Sequence, residues 1–390
     1  MIDNWNKFKN VISRFKDLTY LSIANIVTNG IGGIFWLYMA SLLGTESYGE
    51  ISYIISIAMI SSTISLVGMS NVLIVYGAKD VKIQSTVFLI GLISSSITSL
   101  IIFFFIAKDI TISLYIIGFV IFNLISADMI GRKMFLKYSK IMVIQKVMFV
   151  VFSIFLYYLI GLQGVVLGIA LSFLVFSFIF YKIIKEIKID FSIFKNRYKF
   201  TINSFLLDIS GAFHGSLDKI IIAPLLGFSL LGNYQLALQF ISLLYIIPGM
   251  LFQYALSHDA SGISTKFIKK IIISISIVFA VLSIILSPIL VPIIFPKFTE
   301  AITAIQIMSI SIIPSAIAQT YVTKYMGLTK SKIVITASGL YLAIQISTII
   351  ILGNMYGLNG AAASVIISSI VYMIYFVIID QFQYNPKSAT

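Results

Sequence analysis

Residues 84–133 read QSTVFLIGLISSSITSLIIFFFIAKDITISLYIIGFVIFNLISADMIGRK. Two apolar runs, about 84–107 and 111–131, are interrupted by Lys108 and Asp109, and the second closes on Arg132 and Lys133. Each is long enough to cross a bilayer core, for which a helix needs about 20 residues, and neither shows the two-residue alternation of a barrel strand. Hydrocarbon offers no water to backbone polar groups, so a run of this kind must satisfy them internally as a helix. The stretch therefore reads as one crossing, a tight turn and the returning crossing.

The rest of the chain repeats this pattern. Hydropathy places about twelve spans near 18–43, 51–77, 84–107, 111–131, 141–160, 163–181, 201–227, 231–256, 267–290, 301–323, 333–353 and 357–379. With 59% hydrophobic and 11% charged residues and a mean hydropathy of +1.05, the chain has far less polar material than soluble domains, in which about 25% of residues are charged. The expected fold is an all-α polytopic membrane protein with no soluble domain.

Charge orients it. Nearly all of the 27 Lys and Arg fall in alternate gaps: Lys7 to Lys16, Lys79 and Lys82, the group Arg132, Lys133, Lys137, Lys140 and Lys146, Lys182 to Lys199, Lys266 to Lys270, Lys324 to Lys332, and Lys387. The opposite gaps hold only Lys108 and Lys297, and Lys219 alone is expected inside a span. Basic residues favour the cytoplasmic side, so both termini are expected in the cytoplasm and the protein in the cytoplasmic membrane. The net charge of +13 then serves anionic membrane lipid and insertion, and no nucleic-acid partner is expected. There is no cysteine, no phosphate-binding glycine loop and no metal-ligand cluster, so no cofactor or ATP-driven step is expected.

The domain reading follows from these spans. Residues 1–17 place Trp5, Phe8, Ile12 and Phe15 on one helical stripe among Lys and Arg, as an amphipathic helix lying at the cytoplasmic interface would. A six-helix lobe is expected over 18–181, a basic cytoplasmic linker over 182–200, a second six-helix lobe over 201–379 and a short cytoplasmic tail over 380–390. The lobes read as parallel repeats. Leu42, Leu43, Gly44 and Gly49 match Leu225, Leu226, Gly227 and Gly232 at one constant offset; Met134, Leu136, Ser139, Lys140 and Ile141 match Met326, Leu328, Ser331, Lys332 and Ile333 at another; and Gly161, Leu162 and Gly164 match Gly357, Leu358 and Gly360.

Asn25 and Asn29 leading into LLGTESYGEIS, Asp218 followed by Leu226, Gly227, Gly232, Asn233 and Tyr234, and the GLQG and GLNG turns resemble the multidrug/oligosaccharidyl-lipid/polysaccharide exporter superfamily, most closely its Wzx-type polysaccharide flippases. The resemblance implies two six-helix lobes arranged as a V around a central cavity that opens alternately to the two sides. It also implies a polyprenyl-diphosphate-linked glycan as substrate. In one respect the chain departs from the pattern: members often carry Arg just before the Leu-Gly closing the first span, and Ser41 stands there.

Ionisable groups in membrane helices are costly and face a bundle interior or a wet cavity. The seventh span concentrates them: Asp208 and Lys219 return to one stripe of the helix, and His214 and Asp218 stand one turn apart, within reach of a hydrogen bond or a shared proton. Lys219 is expected to attract an anionic headgroup, and Asp218 with His214 to bind a coupling H+ or Na+; a structural ion pair is the other reading. Asn25, Asn29, Asn71 and Asn123 either contact sugar hydroxyls or join helices. Asp128 and Arg132 form an i,i+4 pair near the cytoplasmic edge that is either a surface salt bridge or a gate to an inward-facing cavity. The function expected is flipping of a polyprenyl-diphosphate-linked oligosaccharide, an O-antigen or other surface-polysaccharide unit, by alternating access, alongside glycosyltransferases or a glycan polymerase of the same pathway. A cation-coupled multidrug exporter is the alternative. A membrane glycan polymerase or ligase is disfavoured because every gap on the outer side is short.

Overall fold

A computed structural model describes residues 2–186, 197–260, 265–328 and 330–384. Among them there are helices and connecting turns and no strand. In chain order the helices are α1 Ile2–Leu43, α2 Thr45–Leu66, α3 Met69–Gly77, α4 Gln84–Ile102, α5 Ile110–Gly131, α6 Phe135–Ile160, α7 Leu162–Leu174, α8 Ser177–Glu186, α9 Tyr198–Leu226, α10 Phe228–Leu244, α11 Ile246–Ala260, α12 Lys266–Ile294, α13 Ala301–Ile310, α14 Ile312–Gly327 and α15 Ser331–Tyr384. A π-helical turn, Phe103–Ala107, extends α4.

Among the described residues nine helical stretches are long and apolar enough to cross a membrane. The last, Ser331–Phe382, has 52 residues and breaks at Gly357 (φ 57°, ψ −132°), so it supplies two crossings. The pair α10 and α11, bent by 46°, is together long and apolar enough for another. At 29 residues α9 is long enough, and its polar residues keep it out of that set. The protein is an all-helical, multi-pass membrane protein.

Several expected spans are broken helices. The span expected over 51–77 is interrupted at Val67 and Gly68, both with positive φ (50° and 73°). Close approach explains the glycine, since a Cβ there would stand 2.6 Å from the Thr201 carbonyl oxygen and 2.7 Å from the Phe205 nitrogen of α9. Pro248 and Pro314 each sit in the first turn of the limb after a break, where the missing N–H costs no helical bond. The expected interfacial segment 1–17 continues into the first span without interruption, as α1 has no Pro or Gly before Gly30 to stop it; the side chains of residues 1–19 lie outside the description. Of the expected linker 182–200, residues 187–196 lie outside the described residues, as do 385–390 of the tail.

The chain divides into two compact units, Met1–Phe35 with Ile57–Ala212, and Trp36–Ser56 with Phe213–Thr390. The first takes six-span residues expected in one lobe but also the start of α9, and the second takes the end of α1 and the start of α2. Unit 1 is built on α5, buried all round by Val120, Leu124 and Ile125 against Val72 and Leu73 of α3, Phe88 of α4 and Phe180 of α8. In unit 2, Tyr325 and Phe376 stack at 5.9 Å, and Lys324 of α14 bonds Asp380 of α15 at 2.5 Å.

Matched positions of the repeats take matching conformations. Gly44 and Gly227 have φ of 81° and 87°, and Gly161 and Gly357 have 72° and 57°. Gly49 and Gly232 face each other where α2 crosses α10, and a Cβ on either would overlap a carbonyl oxygen of the other helix, Phe228 or Thr45.

Candidate transport site

In unit 1, the break before α3 brings polar residues of three helices inward. Asn71 donates to Asp208 Oδ1 at 3.0 Å, and Ser70 donates to Asn123 Oδ1 at 2.6 Å. Asp208 keeps one unmet demand: its Oδ2 is buried and has no hydrogen-bond partner among the described residues. Asn25 and Asn29, one turn apart on α1, make no side-chain hydrogen bond among the described residues; Asn25 is half-buried and Asn29 exposed. A lone amide in hydrocarbon is costly, so the α1 face carrying them needs water or a ligand. Arg132 reaches back one turn to Asp128 at 3.0 Å, and the carboxylate is only 4% exposed. The pair closes the end of its own helix α5.

In unit 2, Asp218 and Lys219 are buried, 5% and 9% exposed. Lys219 donates through Nζ to Asp218 Oδ1 at 3.2 Å and to the Gly215 carbonyl at 2.6 Å, and Tyr234 of α10 donates to Asp218 Oδ2 at 2.9 Å. The expected bond between His214 and Asp218 is not formed. A carboxylate away from water takes the charged donor and the phenol first, and His214 instead lies over the Tyr341 ring at 4.3 Å. Lys219, with its counter-ion and a carbonyl, has no donor left facing an anionic headgroup except its third N–H. The structure thus separates the four α9 residues: Asp208 packs with unit 1, and His214, Asp218 and Lys219 with unit 2.

Lys146 corrects the sequence reading. It was expected in a cytoplasmic gap, but α6 begins at Phe135 and carries it well inside the membrane-crossing stretch Phe135–Ile160. Its ammonium stands over the Phe149 ring at 4.5 Å, against Gly32 of α1. The signal was present: Gln145 and Lys146 are flanked on both sides by apolar residues, Ile141 to Ile144 and Val147 to Val151. Tyr234 was legible as part of a motif, but not as the partner of Asp218, because that contact joins two helices.

The chain crosses the membrane many times and carries ion pairs and free amides inside its helices, with Gly-centred repeats in both halves. It belongs to the family described as Polysaccharide biosynthesis protein, which matches residues 38–256, more than half of the chain. That agrees with the resemblance carried by its glycine motifs. Three solved structures share the fold. One is described as Lipid II flippase MurJ, inward closed conformation (TM-score 0.75, 15% identity, 93% of this chain and 87% of that one). The second is an inward-facing multidrug resistance MATE family transporter of the MOP superfamily (0.69, 15%, 95% and 96%). The third is a MOP superfamily transporter from Pyrococcus furiosus (0.64, 14%, 94% and 95%). No curated protein sequence matches the chain.

Proposed function

We propose that this protein flips a polyprenyl-diphosphate-linked oligosaccharide from the cytoplasmic to the outer leaflet of the cytoplasmic membrane, with both termini in the cytoplasm. The observation that carries the reading is the polar α1 face of Asn25 and Asn29, unpartnered inside a membrane helix of a polysaccharide biosynthesis family member. Amides there are donors and acceptors for sugar hydroxyls, while the polyprenyl chain stays in lipid. The protein makes and breaks no bond; it lowers the barrier for a polar group that hydrocarbon excludes. Access alternates between the two sides, and glycosyltransferases and a polymerase supply and consume the substrate.

A coupling ion, H+ or Na+, enters this reading at Asp208. Its buried Oδ2 lacks a donor among the described residues, and a proton or a sodium ion satisfies such an atom. Asp218, the other carboxylate considered, already has Lys219 and Tyr234.

The test is reconstitution. Proteoliposomes receive a short polyprenyl-diphosphate oligosaccharide with a fluorescent sugar, and a membrane-impermeant reductant reports the exposed fraction. Protein-dependent bleaching of the inner pool is expected. Absence of flipping together with export of cationic dyes would replace the reading with a multidrug exporter.

A further inference from the structure

Two lysines lie well inside membrane helices, and their surroundings are opposite. Lys219 is neutralised by Asp218 and capped by the Gly215 carbonyl. Lys146 has no carboxylate within ion-pair distance and no hydrogen bond among the described residues. Its ammonium has only the Phe149 ring at 4.5 Å and the space left by Gly32, where a Cβ would stand 2.9 Å from Nζ. The repeat offset that matches Gly44 to Gly227 also matches Gly32 to Gly215. Each repeat therefore keeps an ammonium beside the same glycine, and only unit 2 supplies a counter-ion.

Depth excludes the simplest alternative. Gly32 lies midway along the span Tyr20–Leu43, so the ammonium stands near mid-bilayer and has not snorkelled to the headgroups, as a lysine stem otherwise allows. On α1, Asn25, Asn29 and Gly32 fall on one stripe at about 100° per residue, with Asn29 about 4.5 Å along the axis from Gly32. The free ammonium thus abuts the side of α1 that carries both unpartnered amides. A cluster of donors with no anion, inside a low dielectric, is complementary to an anion brought in from elsewhere.

We propose that Lys146, with Asn29 beside it, forms a phosphate-binding site within unit 1 that takes the phosphate or diphosphate of a lipid-linked substrate. The proposal rests on the flippase reading and names the substrate group that reading needs to hold. Lysine suits a transient site: it offers a point charge with three donors and no bidentate fork, so the anion is attracted strongly and released without breaking paired bonds. Gly32 is the positioning residue that lets the ammonium reach the α1 stripe.

The test uses full-length protein in phosphatidylcholine nanodiscs, titrated calorimetrically with farnesyl diphosphate. Binding competed by inorganic pyrophosphate is expected. Lys146→Met should weaken it at least tenfold while leaving the thermal midpoint no lower, because it removes an unpaired buried charge and keeps the side-chain length. Lys146→Arg should stay within about threefold, and Gly32→Ala should weaken binding severalfold with the charge intact. Equal affinity of Lys146→Met and wild type overturns the proposal. So does displacement of the probe by phosphatidylglycerol in the disc, which would make a bulk lipid headgroup the occupant. Flipping in proteoliposomes separates the two levels: wild type and Lys146→Met flipping and binding alike sinks this site and leaves the flippase reading, whereas Lys146-dependent binding without flipping by wild type sinks the reading and leaves the site.

Discussion

Asp218 divides its two oxygens between Lys219 and Tyr234, and this sharing sets what single substitutions do. Removing one partner of a buried pair leaves an uncompensated charge and costs about 3–5 kcal/mol, whereas replacing both by uncharged groups of similar volume costs little. Lys219→Ala is therefore expected to lower the thermal midpoint of the purified protein sharply. The double variant Asp218→Asn with Lys219→Met should recover most of the loss, and equal melting of single and double variants would remove the pair from the stability argument. Past the end of the α11 crossing, Asp259 bonds Thr265 and Lys269, both at 2.5 Å. Burial pushes its carboxyl up, but bonds from Lys269, Thr265 and Thr323 outweigh that and leave it below the ordinary carboxylate value. A group with a depressed folded-state pKa stabilises the fold above its unfolded pKa, about 4, and loses that contribution as pH falls through the lowered value. Wild type should thus lose midpoint on acidification over that window, and Asp259→Asn should show a smaller drop. At this scale the ionisable positions of α9 are legible from sequence, because charge inside an apolar run stands out. Their partners on α3 and α10 are not.

Two kinds of glycine sit at the helix ends and crossings, and they separate cleanly. Gly357 (φ 57°, ψ −132°) holds a backbone conformation open almost only to glycine but has open space around its Cβ position, so Gly357→Ala costs only that backbone strain, about 1–3 kcal/mol. Gly49 has ordinary helical geometry but no room, since a Cβ would overlap the Phe228 carbonyl across the α2–α10 crossing. Gly49→Ala must push two backbones apart and is expected to cost more than Gly357→Ala, with folded yield and melting as the readouts; the reverse order would mean that α2 and α10 do not cross there. The turn glycines were visible through their matched spacing. The break at Val67 and Gly68 was not, because Val67 carries no turn signal and the cause is α9, far away in sequence.

At the scale of the molecule the alternation of basic gaps carries sidedness. The chain has no cysteine, so single cysteines report topology without background. Lys108→Cys and Lys297→Cys should react with an impermeant thiol reagent in intact cells, and Lys133→Cys and Lys270→Cys only after permeabilisation; the opposite pattern would invert the proposed orientation. Coupling belongs to this scale too. Asp208→Asn should leave substrate binding in place while flipping loses its response to an imposed proton or sodium gradient, and an unchanged gradient response would confine Asp208 to its bond with Asn71. The placement of Lys146 shows the limit of gap counting: position 146 falls inside the span expected over 141–160, yet its charge is grouped with the basic loop that precedes it.

Apolar runs of membrane-crossing length, their number near twelve, the internal repeat and the charge alternation were determined by the sequence alone, because each depends on neighbours in the chain and on the solvent outside it. Which helices break, which carboxylate meets which cation, and which lysine stays without one were decided only by tertiary structure. Those outcomes depend on whether a backbone or side chain remote in sequence arrives within bonding distance, as α9 does at Gly68, Tyr234 does at Asp218, and no carboxylate of the described residues does at Lys146.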